Sequence, residues 1–173
     1  ENIYPSLRYC PVDLAATCAL HEENARRNAR WFGAPHYYDD FRKMLDVEKP
    51  EAAMVVVNAS MHAKMACEAL ERGIDVFMEK PPGADLEGAA KIIETAKKNK
   101  KLAMVGLQKR FAPACVKAKE LMEAKDFGPL RHIQTKFCTG RMISGEDFVS
   151  EVGIHHLDLA RFFFGEVDSL SAV

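Results

Sequence analysis

Short apolar runs alternate with helix-forming segments along the first 108 residues, and no other feature limits the possible folds as strongly. The clearest run is AAMVVVNA (52–59), which is continuous and β-branched, as in a parallel strand whose sheet is covered on both faces. Similar runs predict strands at 12–20, 74–79 and 101–108. The segments between them predict helices at 21–33, 39–46, 62–73 and 85–100. Strands and helices in this order are typical of an α/β fold built on a parallel, doubly wound sheet.

The pattern changes after Phe111. The later segments predict a helix at 113–128, a strand at 129–140, a polar loop at 141–147, a helix at 148–165 and the start of another strand at 166–173. We therefore expect a domain boundary near residues 111–115, with 1–112 and 113–173 in different domains.

Charge and cysteine content exclude several classes of protein. The 24 Lys and Arg residues nearly balance the 25 Asp and Glu residues, so no net field would recruit nucleic acid or a membrane surface. No apolar stretch approaches the roughly 20 residues that cross a bilayer. The five cysteines form no C-x-x-C pair and lie in apolar runs, which favours buried thiols over disulfides or zinc. We therefore expect a cytoplasmic protein with neither nucleic-acid nor membrane partners.

The segment MEKPPG (78–83) places charge at the end of a predicted buried strand. Glu79 and Lys80 would lie at a carboxyl edge, where parallel sheets bind ligands. Pro81 and Pro82 fix φ behind them and limit the freedom of the lysine. A ligand-binding lysine and a solvated lysine in a plain turn are both consistent with these residues.

A polar stripe is predicted on the last helix. Glu151, His155 and Asp158 are spaced i, i+4, i+7 and so lie within roughly a 60° arc of one helix face. An imidazole among carboxylates is suited to moving protons near neutral pH. A solvated helix face is the plain alternative, and the three side chains also form a conceivable, less favoured metal site.

One motif is absent. The ten glycines include no G-x-G pair, and there is no G-x-x-x-x-G-K, which excludes a P-loop within this sequence. Either the sheet binds no dinucleotide, or the strand and loop that would bind it precede residue 1.

Four segments together resemble the Gfo/Idh/MocA family of oxidoreductases. They are HAKMACEALERGIDVFMEKPPG, VGLQKRFAPA, DFGPLRHIQ and EVGIHHLDLARFFFGEVDSLSA. The most specific element is EKP followed, about 75 residues later, by H-x-x-D. The resemblance runs over essentially the whole chain.

The resemblance implies a Rossmann-type domain over 1–112, followed by the start of an α+β substrate and oligomerisation domain at 113–173. It also implies that these residues are an internal fragment of a chain roughly twice as long, with the Gly-rich loop just upstream of Glu1. We expect the 173 residues alone to bind cofactor poorly, and the full chain to form a homo-oligomer through its C-terminal sheet.

By this resemblance the parent protein binds NAD or NADP and moves a hydride between nicotinamide and a hydroxyl-bearing carbon of a sugar, cyclitol or polyol. The catalytic residues it implies are Lys80, His155, Asp158 and Glu151, with no metal. The cofactor-binding residues it implies are Glu79, Lys80, Pro81, His62, Asn58 and Arg110.

Each role follows from the same resemblance. Lys80 would hydrogen-bond the reacting oxygen, and His155 would exchange a proton with the substrate hydroxyl. Asp158 would orient a substrate hydroxyl or the histidine, and Glu79 would help to place the ribose. The alternative is a non-catalytic sensor of the same fold that binds dinucleotide to regulate a partner, although a sensor has no need of a proton relay.

Several positions depart from the family pattern. Glu151 replaces the frequent Asp, and Glu146-Asp147 replaces the usual Gly-Gly, which indicates a different loop over the substrate. At the end of the first predicted strand, Ala19 stands where an acid usually binds the adenosine ribose. Loss of that acid removes a preference for NAD, and Arg26 or Arg27 could favour NADP.

Overall fold

The computed structural model describes residues 3–136, 138, 144–145 and 148–171. The strands within these ranges are β1 (Ala16–Cys18), β2 (His36–Tyr38), β3 (Ala52–Val55), β4 (Asp75–Met78) and β5 (Ala103–Val105). The helices are α1 (Ile3–Leu7), α2 (Glu22–Phe32), α3 (Phe41–Glu48), α4 (Ala59–Glu71), α5 (Leu86–Asn99), α6 (Pro113–Met122) and α7 (Ile154–Phe164). A 3₁₀ helix follows β5 at Gln108–Phe111, and a π-helical turn at Phe148–Gly153 leads directly into α7.

All the strand pairs within the described ranges are parallel. β1 pairs with β2, and the strands β3, β4 and β5 form a separate three-stranded sheet in that order. Consecutive parallel strands are connected through helices, as such pairing requires. The prediction of a parallel α/β fold of Rossmann type is confirmed.

Local side chains fix several helix ends. Asp40 begins α3 by accepting a hydrogen bond from the backbone N–H of Lys43 at 3.0 Å. Asp85 begins α5 in the same way, by accepting from the N–H of Gly88 at 2.8 Å. Gly33 ends α2 with a φ of 80°, a conformation that glycine adopts without strain. The predicted helices at 21–33, 39–46, 62–73 and 85–100 are confirmed, with shifted ends.

The buried core lies between the three-stranded sheet and helix α4. Val55, Leu70 and Met78 are almost completely excluded from solvent and belong to one cluster. Leu45 of α3 joins this cluster, while α3 also contacts β1 and β2. Helix α3 therefore links the two sheets.

The prediction that the sheet is covered on both faces is wrong for the described residues. Along β3, Ala53 and Val55 are buried, but Met54 between them is 41% exposed. Met104 of β5 is also about half exposed. Helices α4 and α5 pack against each other and against the same side of the sheet, and no described element covers these two methionines.

The two later strand predictions are also wrong within the described residues. Residues 129–136, 138 and 166–171 contain no strand. A strand exists only where a partner supplies backbone hydrogen bonds, and period-two alternation does not provide that partner. The predicted helix at 113–128 ends at Met122, and most of the predicted loop at 141–147 lies outside the described residues.

Strand β2 was not predicted. Its three residues, His36–Tyr38, are polar and aromatic rather than a continuous apolar run. Among the described residues, no helix combines the length and the apolar character that a membrane span requires.

Candidate active site

The three strands of the larger sheet end side by side. Val55 pairs in register with Met78, and Met78 with Val105. Glu79 follows β4 directly, and its N–H donates to the Val55 carbonyl at 3.1 Å. Asn58 follows β3 and precedes α4 without using its side chain as a cap. This carboxyl edge therefore carries both an acid and an uncommitted amide, where parallel sheets bind ligands.

Lys80 is held by a residue far along the chain. Its Nζ donates to the main-chain oxygen of Glu151 at 3.0 Å and also to the Glu151 carboxylate. The lysine side chain is 17% exposed, whereas that of Glu151 is 55% exposed. The alternative of a solvated lysine in a plain turn is therefore wrong, because Lys80 is largely covered and paired.

His62 supports the turn that carries Lys80. The imidazole is fully buried, and its Nδ1 lies 2.6 Å from the carbonyl oxygen of Pro81. A carbonyl oxygen only accepts, so Nδ1 donates. No described group hydrogen-bonds its buried Nε2. The Lys80–Pro81 peptide bond is cis, and the predicted cofactor contacts of His62 and Pro81 stay predictions.

Glu79 lies against the neighbouring strand end. Its Oε2 accepts from the backbone N–H of Lys80 at 3.2 Å. A Cβ added to the buried Gly106 would approach Phe77 Cζ at 3.1 Å and Glu79 Oε1 at 3.5 Å. Glycine at this position therefore leaves room for the Phe77 ring, and the Glu79 carboxylate lies close beside β5.

His155 is half-buried at the start of α7. Burial lowers its pKa below the ordinary value, and the positive charges of Lys80 and Lys109 lower it further. Asp158 and Glu79 oppose this shift. No described group hydrogen-bonds its buried Nδ1. The imidazole is therefore neutral near pH 7, and it lies within the electrostatic reach of the EKP turn.

Arg110 and Asp158 bind one another. The guanidinium Nε lies 2.8 Å and 2.7 Å from the two carboxylate oxygens, and Nη2 lies 2.5 Å from Oδ1. Asp158 is 5% exposed. The residue predicted to orient substrate and a residue predicted to bind cofactor thus form an ion pair with each other, in which the aspartate is buried and the arginine is partly exposed.

The predicted polar stripe does not form a single surface. Glu151 lies in the π-helical turn and pairs with Lys80, whereas Asp158 lies in α7 and pairs with Arg110. The alternative of a solvated helix face is wrong, since both carboxylates bind cations outside the helix. No cluster of metal-ligating side chains occurs in the ranges that the structure describes.

The end of β2, beside the end of β1, carries acids that the sequence reasoning missed. Ala19 donates its N–H to the Tyr38 carbonyl at 3.1 Å, so the parallel register places Asp39 beside it. The pKa of Cys18 is raised to about 11 by burial and then by the charges of Asp40 and Asp39. The signal was the Asp-Asp pair itself, but it follows a strand that the apolar pattern did not reveal.

The two arginines proposed for NADP lie on α2. Arg26 and Arg27 are both exposed. The Arg27 guanidinium lies 5.2 Å from the centroid of the Trp31 ring, which is a cation–π contact. Arg26 is the less committed of the two cations.

Comparison with known proteins identifies relatives along most of the chain. The profile of the Gfo/Idh/MocA oxidoreductase family, described as having an NAD-binding Rossmann fold, matches residues 5–107. Scyllo-inositol 2-dehydrogenase (NAD(+)) of Bacillus subtilis (strain 168) is 28% identical over 155 residues, covering 85% of this chain and 45% of that protein. D-glucoside 3-dehydrogenase of Escherichia coli (strain K12) is 28% identical over 174 residues, covering 91% and 49%.

Solved structures give the same result. The crystal structure of a dehydrogenase from Chromobacterium violaceum matches with a TM-score of 0.81 and 26% identity, covering 94% of this chain and 50% of that one. The chain therefore spans about half the length of the relatives that it matches. The profile match covers more than half of the 173 residues, and the parallel sheets agree with it. The chain belongs to the Gfo/Idh/MocA oxidoreductase family, with its NAD-binding Rossmann fold.

Proposed function

We propose that the whole protein is an NAD(P)-dependent oxidoreductase that moves a hydride between nicotinamide and a hydroxyl-bearing carbon of a sugar, cyclitol or polyol. One observation carries the proposal. Lys80 at a strand end and Glu151 in the turn before His155 are 71 residues apart in sequence, yet they form an ion pair at the ligand edge of the sheet. A cation and a neutral imidazole near one another are suited to two parts of alcohol oxidation, stabilising the developing alkoxide and removing the hydroxyl proton.

The substrate class is inferred from relatives. By their names, two proteins similar to this chain act on scyllo-inositol and on a D-glucoside. Both substrates carry several hydroxyl groups on a ring. We therefore place the substrate of this protein among sugars and cyclitols, and among polyols that present similar hydroxyls.

The residues at the sheet edge fit a nicotinamide cofactor. Glu79, Lys80 and the unused amide of Asn58 supply hydrogen-bonding groups at the carboxyl ends of β3 and β4. A bound nicotinamide would supply the hydride acceptor or donor. Asp39 and Asp40 beside the end of β1 would repel the 2′-phosphate of NADP and so favour NAD. Arg26 would attract that phosphate and so favour NADP. We therefore assign the cofactor as either NAD or NADP.

Lys80, Glu151 and His155 have different roles in the proposed proton transfer. The Lys80 ammonium would donate a hydrogen bond to the reacting oxygen and stabilise its developing negative charge. Glu151 limits the orientations of Lys80 through its carboxylate and its main-chain oxygen. His155, kept neutral by burial and by Lys80, would take the hydroxyl proton. Because its Nδ1 is buried, the exchange would occur at Nε2.

Substitutions in the full-length protein test this function. Lys80→Met and His155→Asn should each lower kcat by about 10²-fold or more against a panel of sugars and cyclitols. Lys117→Met is the matched control, since Lys117 pairs with Glu120 on the exposed surface of α6. Near-normal turnover of both site variants would contradict the proposal. Cofactor binding without turnover of any substrate in the panel would favour the sensor.

The remaining features of the whole protein are proposals of the same kind. We place the boundary between the cofactor domain and a substrate domain at residues 112–113. We also propose a cytoplasmic homo-oligomer with neither nucleic-acid nor membrane partners. Gel filtration of the full-length protein would test the assembly, and a monomer at micromolar concentration would contradict it.

A further inference from the structure

Arg110 and Asp158 join two elements that lie far apart in sequence. Arg110 belongs to the 3₁₀ helix after β5, and Asp158 lies 48 residues later in α7. Three nitrogen–oxygen distances of 2.5–2.8 Å describe a two-pronged contact, a geometry that fixes orientation as well as distance. With Asp158 5% exposed, the carboxylate presents little surface to a substrate.

A second residue of α7 contacts the same guanidinium. The Arg110 Cζ lies 5.7 Å from the centroid of the Phe162 ring, one helical turn beyond Asp158. The Nζ of Lys119, on α6, lies at the same distance from that ring. Arg110 therefore binds α7 at two points, which define the position of the helix along its axis and its rotation about that axis.

His155 lies one turn before Asp158 on the same helix. The described charges that reach its imidazole come from three elements: Lys80 and Glu79 follow β4, Lys109 belongs to the 3₁₀ helix, and Asp158 belongs to α7. Lys109 is the immediate neighbour of Arg110. The contact that holds α7 in place therefore also sets the charges around the imidazole.

We propose that Arg110 and Asp158 are a positioning pair, which docks α7 on the 3₁₀ helix after β5. The docked helix places His155 beside Lys80. Neither Arg110 nor Asp158 contacts substrate or cofactor directly. This assigns to both residues an indirect role in place of the direct ones that the sequence resemblance implied. The effect of the pair on catalysis rests on the proposed function, but its role in holding α7 in position does not.

Single substitutions should shift the His155 titration in opposite directions. Asp158→Asn removes the anion that raises the pKa of His155, so the imidazole should titrate at lower pH. Arg110→Met leaves the Asp158 charge unopposed, so the imidazole should titrate at higher pH. The measurement is the NMR titration of His155 in the full-length protein without cofactor. Lys117→Met is again the control, because it removes an exposed positive charge that pairs with Glu120.

The double variant separates position from charge. Arg110→Met with Asp158→Asn removes both charges and leaves the net charge of the pair unchanged, so the His155 titration should move to higher pH than in the wild type only through the loss of burial and of proximity to Lys80. The docking contact is still lost, so we expect weaker nuclear Overhauser contacts between His155 and the Lys80 turn. We also expect kcat to stay about 10-fold or more below wild type. Arg110→Lys keeps the positive charge but cannot form the two-pronged contact of a guanidinium with Asp158. It should therefore lose part of the nuclear Overhauser contacts between His155 and the Lys80 turn.

Distinct outcomes would overturn the proposal. Unchanged titration in both single variants, or full recovery of kcat in the double variant, would contradict a positioning role. A rise in substrate KM with kcat and titration unchanged in Asp158→Asn would show direct substrate binding instead. If the wild type turns over no substrate while the double variant still loses the nuclear Overhauser contacts between His155 and the Lys80 turn, the proposed function fails and the positioning pair stands.

Discussion

Lys80 is the residue on which the proposed chemistry depends most, and the structure restrains it from two directions. Glu151 binds its ammonium group, and His62 binds the carbonyl of Pro81 directly after it. The fully buried His62 has no described partner for Nε2, an arrangement that costs stability unless the other hydrogen bond compensates. His62 is therefore expected to contribute through the turn and not through a ligand.

Two substitutions of His62 test this role. His62→Asn retains a donor near the position of Nδ1, whereas His62→Leu fills similar volume without one. We expect the Leu variant to have a free energy of unfolding about 1 kcal/mol lower than the Asn variant, because a buried carbonyl loses its donor. Urea unfolding of the two variants measures the difference. Equal stability, or a more stable Leu variant, would contradict the supporting role of the hydrogen bond.

His155 makes stability depend on pH with a defined sign. Its pKa in the folded protein is lowered, so at mildly acidic pH the unfolded chain binds more protons at this site than the folded one. Its contribution to stability is therefore full above the ordinary histidine pKa of about 6.5 and decreases as the pH falls below that value. His155→Gln should flatten the dependence of the urea midpoint on pH between about 7 and 5.

An exposed histidine supplies the control for this measurement. His132→Gln changes a side chain on the surface and should retain the pH dependence of the wild type. If His155→Gln and the wild type lose stability in parallel on acidification, the electrostatic description of His155 is incorrect.

At the scale of single elements, the start of α5 offers a direct test of local structure. Asp85 accepts from the Gly88 N–H at 2.8 Å, so Asp85→Ala should lower the free energy of unfolding by about 1 kcal/mol. Asn58 occupies the same position on α4 without a cap hydrogen bond. Asn58→Ala should therefore cost less. Equal losses in urea unfolding would show that the capping bond of Asp85 contributes nothing.

The predictable elements are those whose signals are local. The β-branched run at 52–59 and the helices that follow it could be recognised because burial and helix ends leave marks on adjacent residues. Strand β2 could not, because its three residues lack an apolar run and exist as a strand only through pairing with β1. The alternation at 129–140 resembled a strand but finds no partner among the described residues.

At the scale of the whole molecule, the candidate site depends on pairs that cross long distances in sequence. The sequence suggested Lys80 and His155 as separate candidates, and only their resemblance to a family connected them. That Glu151 reaches Lys80, and that Arg110 neutralises Asp158, are properties of tertiary packing. No helical spacing distinguishes a carboxylate that faces a lysine from one that is buried against an arginine.

Direct observation of hydride transfer tests the central proposal. The full-length protein would be supplied with oxidised nicotinamide cofactor and with sugars and cyclitols that carry deuterium at each hydroxyl-bearing carbon. The proposed function predicts deuterium on the nicotinamide ring with the wild type and at least about 10² times slower transfer with Lys80→Met. Binding of the cofactor with no deuterium transfer from any of these compounds would contradict it.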